Sequence, residues 1–432
     1  MSILASLYTG ISGLGASGAN MGIISDNIAN SSTTAYKASR GEFSDVVATN
    51  LKGILGGNQI GRGTKLSAVT SVFTQGNLTP SERDTDMSIR GDGFFICKNP
   101  AGAGEISYTR DGSFRFDSKG RMTTADGFQL QGYKLNPETG KADSELIDIE
   151  FSGNTMPAKN TQSVKIDANL DVRKKINEDK YDLATADKTA DLTSAARVYD
   201  ATGTAQNLTM HYYKTGESEW TWYASADGSQ LNGGKEGVPQ QVATGKLSFT
   251  KEGKLNTDQV TSQNFNFKGS DGSMKIDFNF GDAIVTRKGT GLQGTTGYGS
   301  KSQIYRQIQD GYAAGTLTNF SVDDSGVISG SYSNGTTRPL AQMALARFEN
   351  NEGLFKLGNN RFKEAVNSGQ PLVGAAGEAG RGTIDSKSLE SSNVDLAQEF
   401  VKMMTTQRNF QANAKTITTS DELLNEIIQL KR

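Results

Sequence analysis

The same hydrophobic heptad runs through both ends of the chain and is missing from its middle. Leu7, Ile11, Leu14, Gly18, Met21, Ser25 and Ile28 follow a 4-3-4-3-4-3 spacing, and Leu396, Phe400, Met403, Gln407, Phe410, Ala414, Ile417, Asp421, Leu424 and Ile428 repeat it at the other end. Apolar residues at that spacing make the a/d seam of a coiled coil. The pattern predicts helices over residues 1–30 and 391–432 that pair as an inner coiled-coil core. A chain folded between two such helices is built to join its neighbours through its termini. Leu7, Ile11, Leu14, Met21, Ile28, Leu396, Phe400, Met403, Phe410, Ile417, Leu424 and Ile428 are the expected polymerisation interface.

The N-terminal helix is weak by its own propensity. Gly10, Gly13, Gly15, Gly18 and Gly22 each cost about 0.5–1 kcal/mol relative to Ala in a helix interior. Residues 1–30 hold one charged side chain, Asp26, so the segment expects to be surrounded by protein. Both terminal segments are expected to be largely disordered in a dilute monomer and to order on assembly. The C-terminal helix has clearer edges: Ser392 to Asp395 match a capping box, and Lys431 and Arg432 suit the negative end of the macrodipole.

Composition removes several function classes. The 45 basic and 47 acidic residues balance, which leaves no global field to gather nucleic acid. One cysteine, Cys97, excludes an intrachain disulfide framework, and one histidine, His211, makes a zinc cluster or a His-based triad hard to build. No catalytic residue, cofactor or metal is expected. No apolar run reaches the ~18 residues of a membrane span, and no cleavable leader is expected.

Between the ends the period changes to two. Ser113-Phe114-Arg115-Phe116, Trp220-Thr221-Trp222-Tyr223, Lys246-Leu247-Ser248-Phe249 and residues 275–280 alternate polar and apolar side chains as half-buried strands do. Asp111-Gly112, Lys119-Gly120, Asp126-Gly127, Ser325-Gly326 and Asn334-Gly335 punctuate them like hairpin turns. The fold class is therefore mixed and mainly β: nested β domains, sandwich or open barrel, between terminal helices. The expected layout places an outer β domain over residues 72–145 and 286–365 with a β domain of residues 146–285 inserted in it. Residues 31–71 and 366–390, rich in Gly, Ser, Thr and Asn, are expected linkers.

Candidate motifs in the middle have simpler explanations. Gly91-Asp92-Gly93-Phe94-Phe95 lacks the third glycine and the following helix of a dinucleotide fingerprint, and Gly61-Arg62-Gly63-Thr64-Lys65 lacks the order of a phosphate loop. Asp323 and Asp324 precede Ser325-Gly326 and read as a solvated turn. His211 is expected at an outward strand position. Cys97 follows Phe94-Phe95-Ile96 and reads as a small semi-buried residue with no histidine beside it to lower its pKa.

The ends also resemble a known family. Thr9-Gly10-Ile11-Ser12-Gly13-Leu14, Asp26-Asn27-Ile28-Ala29-Asn30 and Thr34-Ala35-Tyr36-Lys37 are similar to the N-terminal signature of the bacterial flagellar axial proteins of the rod and hook. Ser392-Asn393-Val394-Asp395-Leu396, residues 407–415 and residues 418–424 resemble the paired C-terminal signature. The matching positions include Asn27, Asn30, Tyr36, Lys37, Asn393, Asp395, Gln407, Arg408 and Asn413. Gln75-Gly76-Asn77-Leu78, residues 90–95, residues 108–112 and Leu130-Gln131-Gly132-Tyr133 are shared across the family. Asp310-Gly311-Tyr312, Tyr332-Ser333-Asn334-Gly335 and residues 340–346 are more hook-like, as is the size of the central insertion. Ala35 stands where the family often has Gly, which would strain the backbone if φ is positive there.

The resemblance implies a structural polymer: a helical tube outside the cell, flexible as a universal joint, that carries motor torque to the filament. It implies contacts with copies of itself, with rod, hook-cap and hook–filament junction proteins, and with the flagellar type III export apparatus. It implies neither nucleic-acid binding nor membrane insertion. Two other readings remain at this point: a distal-rod-like axial protein, and an extracellular carbohydrate-binding β protein with a site around Trp220 and Trp222.

Overall fold

The computed structural model describes residues 3–46, 49–50, 59–101, 104–136, 139–151, 155–178, 181–269 and 273–430. The chain divides into two compact units, residues 1–152, 319–331 and 337–432 in the first and residues 153–318 and 332–336 in the second. The second crossing lies later than the expected 285, after residue 318. Strand Gln303–Gln309 pairs antiparallel with Ser163–Asn169, and Thr296 accepts the amide of Leu170, so residues 286–318 complete the inserted unit rather than the outer domain.

In the first unit, helices α1 (Ile3–Ala29) and α2 (Leu396–Leu430) pack against each other. The two terminal segments are helical and paired with each other in this structure. No helix among the described residues is long and apolar enough to cross a membrane. Asp395 is the N-cap of α2: its Oδ1 accepts the amides of Ala397 and Gln398 at 2.9 and 3.2 Å. The cap therefore sits three residues later than a box starting at Ser392. Lys431 and Arg432 lie outside the described residues.

The expected linkers are largely strands. Ser39–Asp45 and Thr64–Ser71 form a two-stranded antiparallel ribbon that packs on α1. Leu372–Ala375 pairs with Thr337–Arg347, Thr383–Ser386 with Met87–Arg90, and Ser388–Glu390 with Leu78–Pro80. These strands of three to four residues are too short to carry a readable alternation. The β body behind them is antiparallel. Its central strands Phe94–Lys98, Gln129–Leu135 and Thr337–Arg347 are buried on both faces. Phe95, Leu130, Met343 and Leu345 fill one side, and Phe94, Ile96, Ala344 and Ala346 the other. Cys97 is fully buried here, and burial pushes its thiol up to about 12, which leaves it inert.

The second unit stacks a five-stranded antiparallel meander, from Leu192–Tyr199 to Leu255–Gln263, on a three-stranded sheet of Asp277–Asn279, Ser163–Asn169 and Gln303–Gln309. Val164 and Ile166 from the small sheet meet Leu208, Met210, Trp222, Phe278 and Phe280 in one core. Trp220 and Trp222 are buried to 1 % and 0 % exposure, so no aromatic platform for a sugar exists there.

His211 lies on the face of the meander away from this core, yet it is only 3 % exposed. A segment around Tyr181 to Thr189 covers it: Tyr181 stacks on Tyr223 at 3.8 Å, and Asp187 Oδ1 lies 3.7 Å from His211 Nδ1. Burial holds the imidazole below its ordinary pKa, against the opposing pull of Asp187. The unfolded chain therefore takes up a proton at His211 before the folded one does. Stability from this site is whole above about pH 6.5 and falls as pH drops below it. Thermal unfolding between pH 7.5 and 5 is expected to show this loss, and His211→Gln to flatten it; an unchanged slope in the variant would refute the assignment.

Candidate assembly site

α1 and α2 run antiparallel and meet along a stripe that, Ile417 apart, the apolar heptad does not mark. Asn20 Nδ2 donates to Thr406 Oγ1 at 2.9 Å, and Asn27 Nδ2 to Glu399 Oε2 at 3.2 Å. Gly13 faces Asn413, whose Nδ2 would stand 2.6 Å from a Cβ at that position, and Ser6 shares a cleft with Ser420. A Cβ at Gly10 would come within 2.9 Å of Ile417 Cγ1, so glycine sets the approach of the helices here. Apart from Ile417, the inner stripe is small and polar; Asn27, Glu399, Thr406 and Ser420 are all buried in it.

The expected seam is split by this arrangement. Leu7, Leu14, Met21 and Ile28, one residue further around α1, are half-buried, and Ile11 is 49 % exposed. Met403, Ile417 and Leu424 of α2 are half-buried, whereas Leu396, Phe400, Phe410 and Ile428 are exposed at 44, 51, 40 and 64 %. Val401, Met404, Leu423 and Ile427, outside the expected seam, are also more than two-fifths exposed. α2 thus turns large apolar groups to water along its length.

Beneath the helix pair the signature residues form one joint. Asn27 Oδ1 accepts the Ser39 amide at 2.8 Å, while its Nδ2 donates to the Ser39 carbonyl at 2.9 Å. Asn30 closes the end of α1 by donating to the Asp26 carbonyl at 2.9 Å, and Tyr36 donates its hydroxyl to Asp26 at 3.0 Å. Burial, aided by that bond, pushes the Tyr36 phenol up to about 12. Asn393 accepts the Ala38 amide at 2.8 Å and donates to Val72 O at 2.8 Å, stitching the chain before α2 to the chain after α1.

Lys37 Nζ donates to Glu390 Oε1 at 2.6 Å and to Thr74 O at 2.8 Å, and Glu390 Oε1 also accepts the Gly76 amide at 2.8 Å. Arg110 reaches Glu390 Oε2 at 3.5 Å with its guanidinium over the Phe94 ring. Lys37, Glu390 and Arg110 are 2 % exposed or less. Burial holds the lysine and the arginine below their ordinary pKa values despite the shared carboxylate. Lys37 was expected at this site; Glu390 was not, and a single glutamate in a polar stretch carries no signal that it is buried. Arg110 sat unremarked inside the Tyr108-Thr109-Arg110-Asp111-Gly112 motif. Gln407 and Arg408 lie exposed on α2, away from the joint, and Asn413 faces Gly13.

Ala35 has φ 56° and is buried, with its amide donating to Glu390 O at 2.7 Å. A left-handed alanine costs roughly 1–2 kcal/mol, and glycine there would give back ~0.5–1 kcal/mol in chain entropy. Ala35→Gly is expected to stabilise the first unit by about 0.5–1 kcal/mol, read as a higher unfolding midpoint. A lower midpoint would refute the strain.

Nothing in this geometry resembles a reaction centre; among the described residues no three His, Cys, Asp or Glu side chains group as metal ligands would. Residues 7–37 match the family model of the flagella basal body rod protein, and residues 385–430 that of the flagellar basal body rod FlgEFG protein C-terminal region. Residues 88–173 match the flagellar hook protein FlgE/F/G D1 domain and residues 165–312 the flagellar basal body protein FlaE D2 domain. Helix pair, joint and β body together are thus those of a flagellar axial protein.

Full-length relatives narrow the class. The chain is 34 % identical to the flagellar hook protein FlgE of Borreliella burgdorferi over 99 % of its length and 100 % of the relative's. It is 32 % identical to that of Treponema pallidum, covering 100 % of each, and 31 % identical to that of Escherichia coli, covering 98 % of each. The crystal structure of Helicobacter pylori flagellar hook protein FlgE2 shares the fold, with a TM-score of 0.53 at 16 % identity over 72 % of this chain and all of that one. The chain belongs to the flagellar hook protein family, and it is a structural subunit of the hook.

Proposed function

We propose that the chain polymerises through the outward apolar residues of its terminal helices into a helical tube. The tube bends as a universal joint while passing motor torque to the filament. The carrying observation is the exposure of Leu396, Phe400, Phe410 and Ile428 on a helix whose inner stripe is polar. Heterologous contacts that do not close a ring generate such a tube. The role is structural rather than catalytic. The working site is outside the cell, after export by the flagellar type III route, and the tube ends meet rod, cap and junction proteins. The buried joint at Glu390 holds the helix pair to its β body and supports transmission of load within each subunit.

Electron microscopy of the purified protein after concentration tests the proposal. Tubes are expected. Persistent monomer, under conditions where both β units are folded, would overturn it.

A further inference from the structure

The second unit holds a buried group that assembly does not use. His211 is 3 % exposed, and its Nδ1 finds no hydrogen-bond partner. Ser225 Oγ donates its one proton to Thr209 O at 3.3 Å, so it accepts from His211 Nε2 at 3.4 Å. The neutral ring therefore carries its proton on Nε2 and keeps a bare, dry lone pair at Nδ1. The cover over it is a strap, residues 171–178 and 181–191, that leaves the small sheet after Asn169 and enters the meander at Leu192.

The strap is tied at both ends. Lys214, 4 % exposed, donates through Nζ to the carbonyls of Val172 and Lys174. Asn177 donates from its backbone amide to Lys214 O and from Nδ2 to Thr189 O, both at 2.8 Å, and the Asp191 amide donates to Tyr212 O at 2.9 Å. Between these anchors the backbone bonds run inside the strap, from Thr185 to Asp182 O, Lys188 to Thr185 O and Ala190 to Ala186 O. Side chains hold the middle down: Tyr181 lies flat on Tyr223 at 3.8 Å, and the Tyr213 hydroxyl meets Thr189 Oγ1 at 2.8 Å and Ala186 O at 3.4 Å. The Tyr181 hydroxyl is buried without a partner, so the closed form carries a second dry polar atom that opening would wet.

We propose that the strap is an acid-released latch over a tyrosine-lined face. Opening gives both imidazole nitrogens water; closing dries them. A proton at Nδ1 would stand 3.7 Å from Asp187 Oδ1, beyond a hydrogen bond, and that carboxylate is itself 81 % exposed. Asp187 is the charged group that faces the ring. Thr193 and Tyr223 oppose it on the neighbouring strands, Thr209, Tyr213 and Ser225 lie on the same face, and Asp182 and Lys188 of the strap are exposed. Burial outweighs the pull of Asp187 and holds the closed imidazole below its ordinary pKa, so the open form takes up the proton first. The latch is therefore shut above about pH 6.5 and loosens as pH falls below it. Opened, it uncovers Tyr213 and Tyr223, and the unit presents one surface at neutral pH and another in acid. Nothing in this device depends on how the chain assembles.

Amide hydrogen exchange on the full-length protein, corrected for the intrinsic rate at each pH, reads the latch against the strands beneath it. Protection of residues 181–190 is expected to fall about threefold or more between pH 7.5 and 5.5, while strands Ala205–Lys214 and Glu219–Asp227 keep theirs. In His211→Gln the fall is expected to vanish. Asp187→Asn, a change at an exposed side chain, removes the charge that favours the imidazolium, so its fall on acidification is expected to exceed the parent's. Equal protection at the two pH values in the parent would overturn the latch. So would a fall of the same size in His211→Gln, or one no larger than the parent's in Asp187→Asn, because the responsible proton would then lie elsewhere. Loss of protection in the two strands together with the strap would also overturn it, since the unit would then open as one body.

Discussion

Phe410→Asp is expected to abolish tube formation while the monomer unfolds at the parental temperature. Phe410 is 40 % exposed in the single chain, so a carboxylate there keeps its water. In a helix–helix contact between copies it would lose the burial of an aromatic side chain, about 1.5–3 kcal/mol, and would place an unpaired charge in an apolar seam. A loss of about 3 kcal/mol per contact raises the concentration needed for assembly by more than ~100-fold. Sedimentation and electron microscopy check both halves of the expectation. Tubes at the parental concentration would remove Phe410 from the interface; a lowered unfolding temperature would mean that its role is inside the chain.

Glu390→Ala is expected to be the most damaging single change inside the first unit. It leaves the Lys37 ammonium and the Arg110 guanidinium, both almost fully buried, without their carboxylate, and it leaves the Gly76 amide without an acceptor. Removing one partner from a buried ion pair costs about 3–5 kcal/mol. In a unit of this size that corresponds to a fall of roughly 10 °C in the unfolding midpoint. Glu390→Gln keeps acceptors for Gly76 and Lys37 and is expected to lose markedly less. Equal losses in the two variants would show that the charge itself, rather than the hydrogen bonds, holds the joint.

The terminal helices were legible because their apolar residues keep a 3.5-residue period, and the β body because short alternating runs are closed by Asp-Gly and Asn-Gly turns. The inward face of the helix pair was not legible. Hydrophobicity marks surfaces that will be buried by anything, including other copies, and it does not say which surface the chain buries for itself. Asn20, Thr406 and Glu399 settle that question by pairing across nearly four hundred residues, which a one-dimensional pattern does not reveal. The joint was half legible for a similar reason. The signature residues Asn27, Tyr36, Lys37 and Asn393 meet there, but their partners Glu390 and Arg110 are ordinary surface types whose burial is decided by tertiary packing. The short strands of residues 372–390 stayed hidden because a three-residue strand against a ready-made edge needs no pattern of its own.

Three of the five glycines in α1 do not serve helix approach. A Cβ at Gly15, Gly18 or Gly22 would meet nothing within 4 Å, and the three fall on one exposed side of the helix at three- and four-residue steps. A helical surface bare of side chains for two turns has no ridges for another helix to drop into, so interlocking gives way to smoothness. Its energy against a partner varies little with axial displacement. Where another copy packs on it in a rotating bent tube, the expected behaviour is that of a bearing, letting cohesive contacts persist while the surfaces creep past one another.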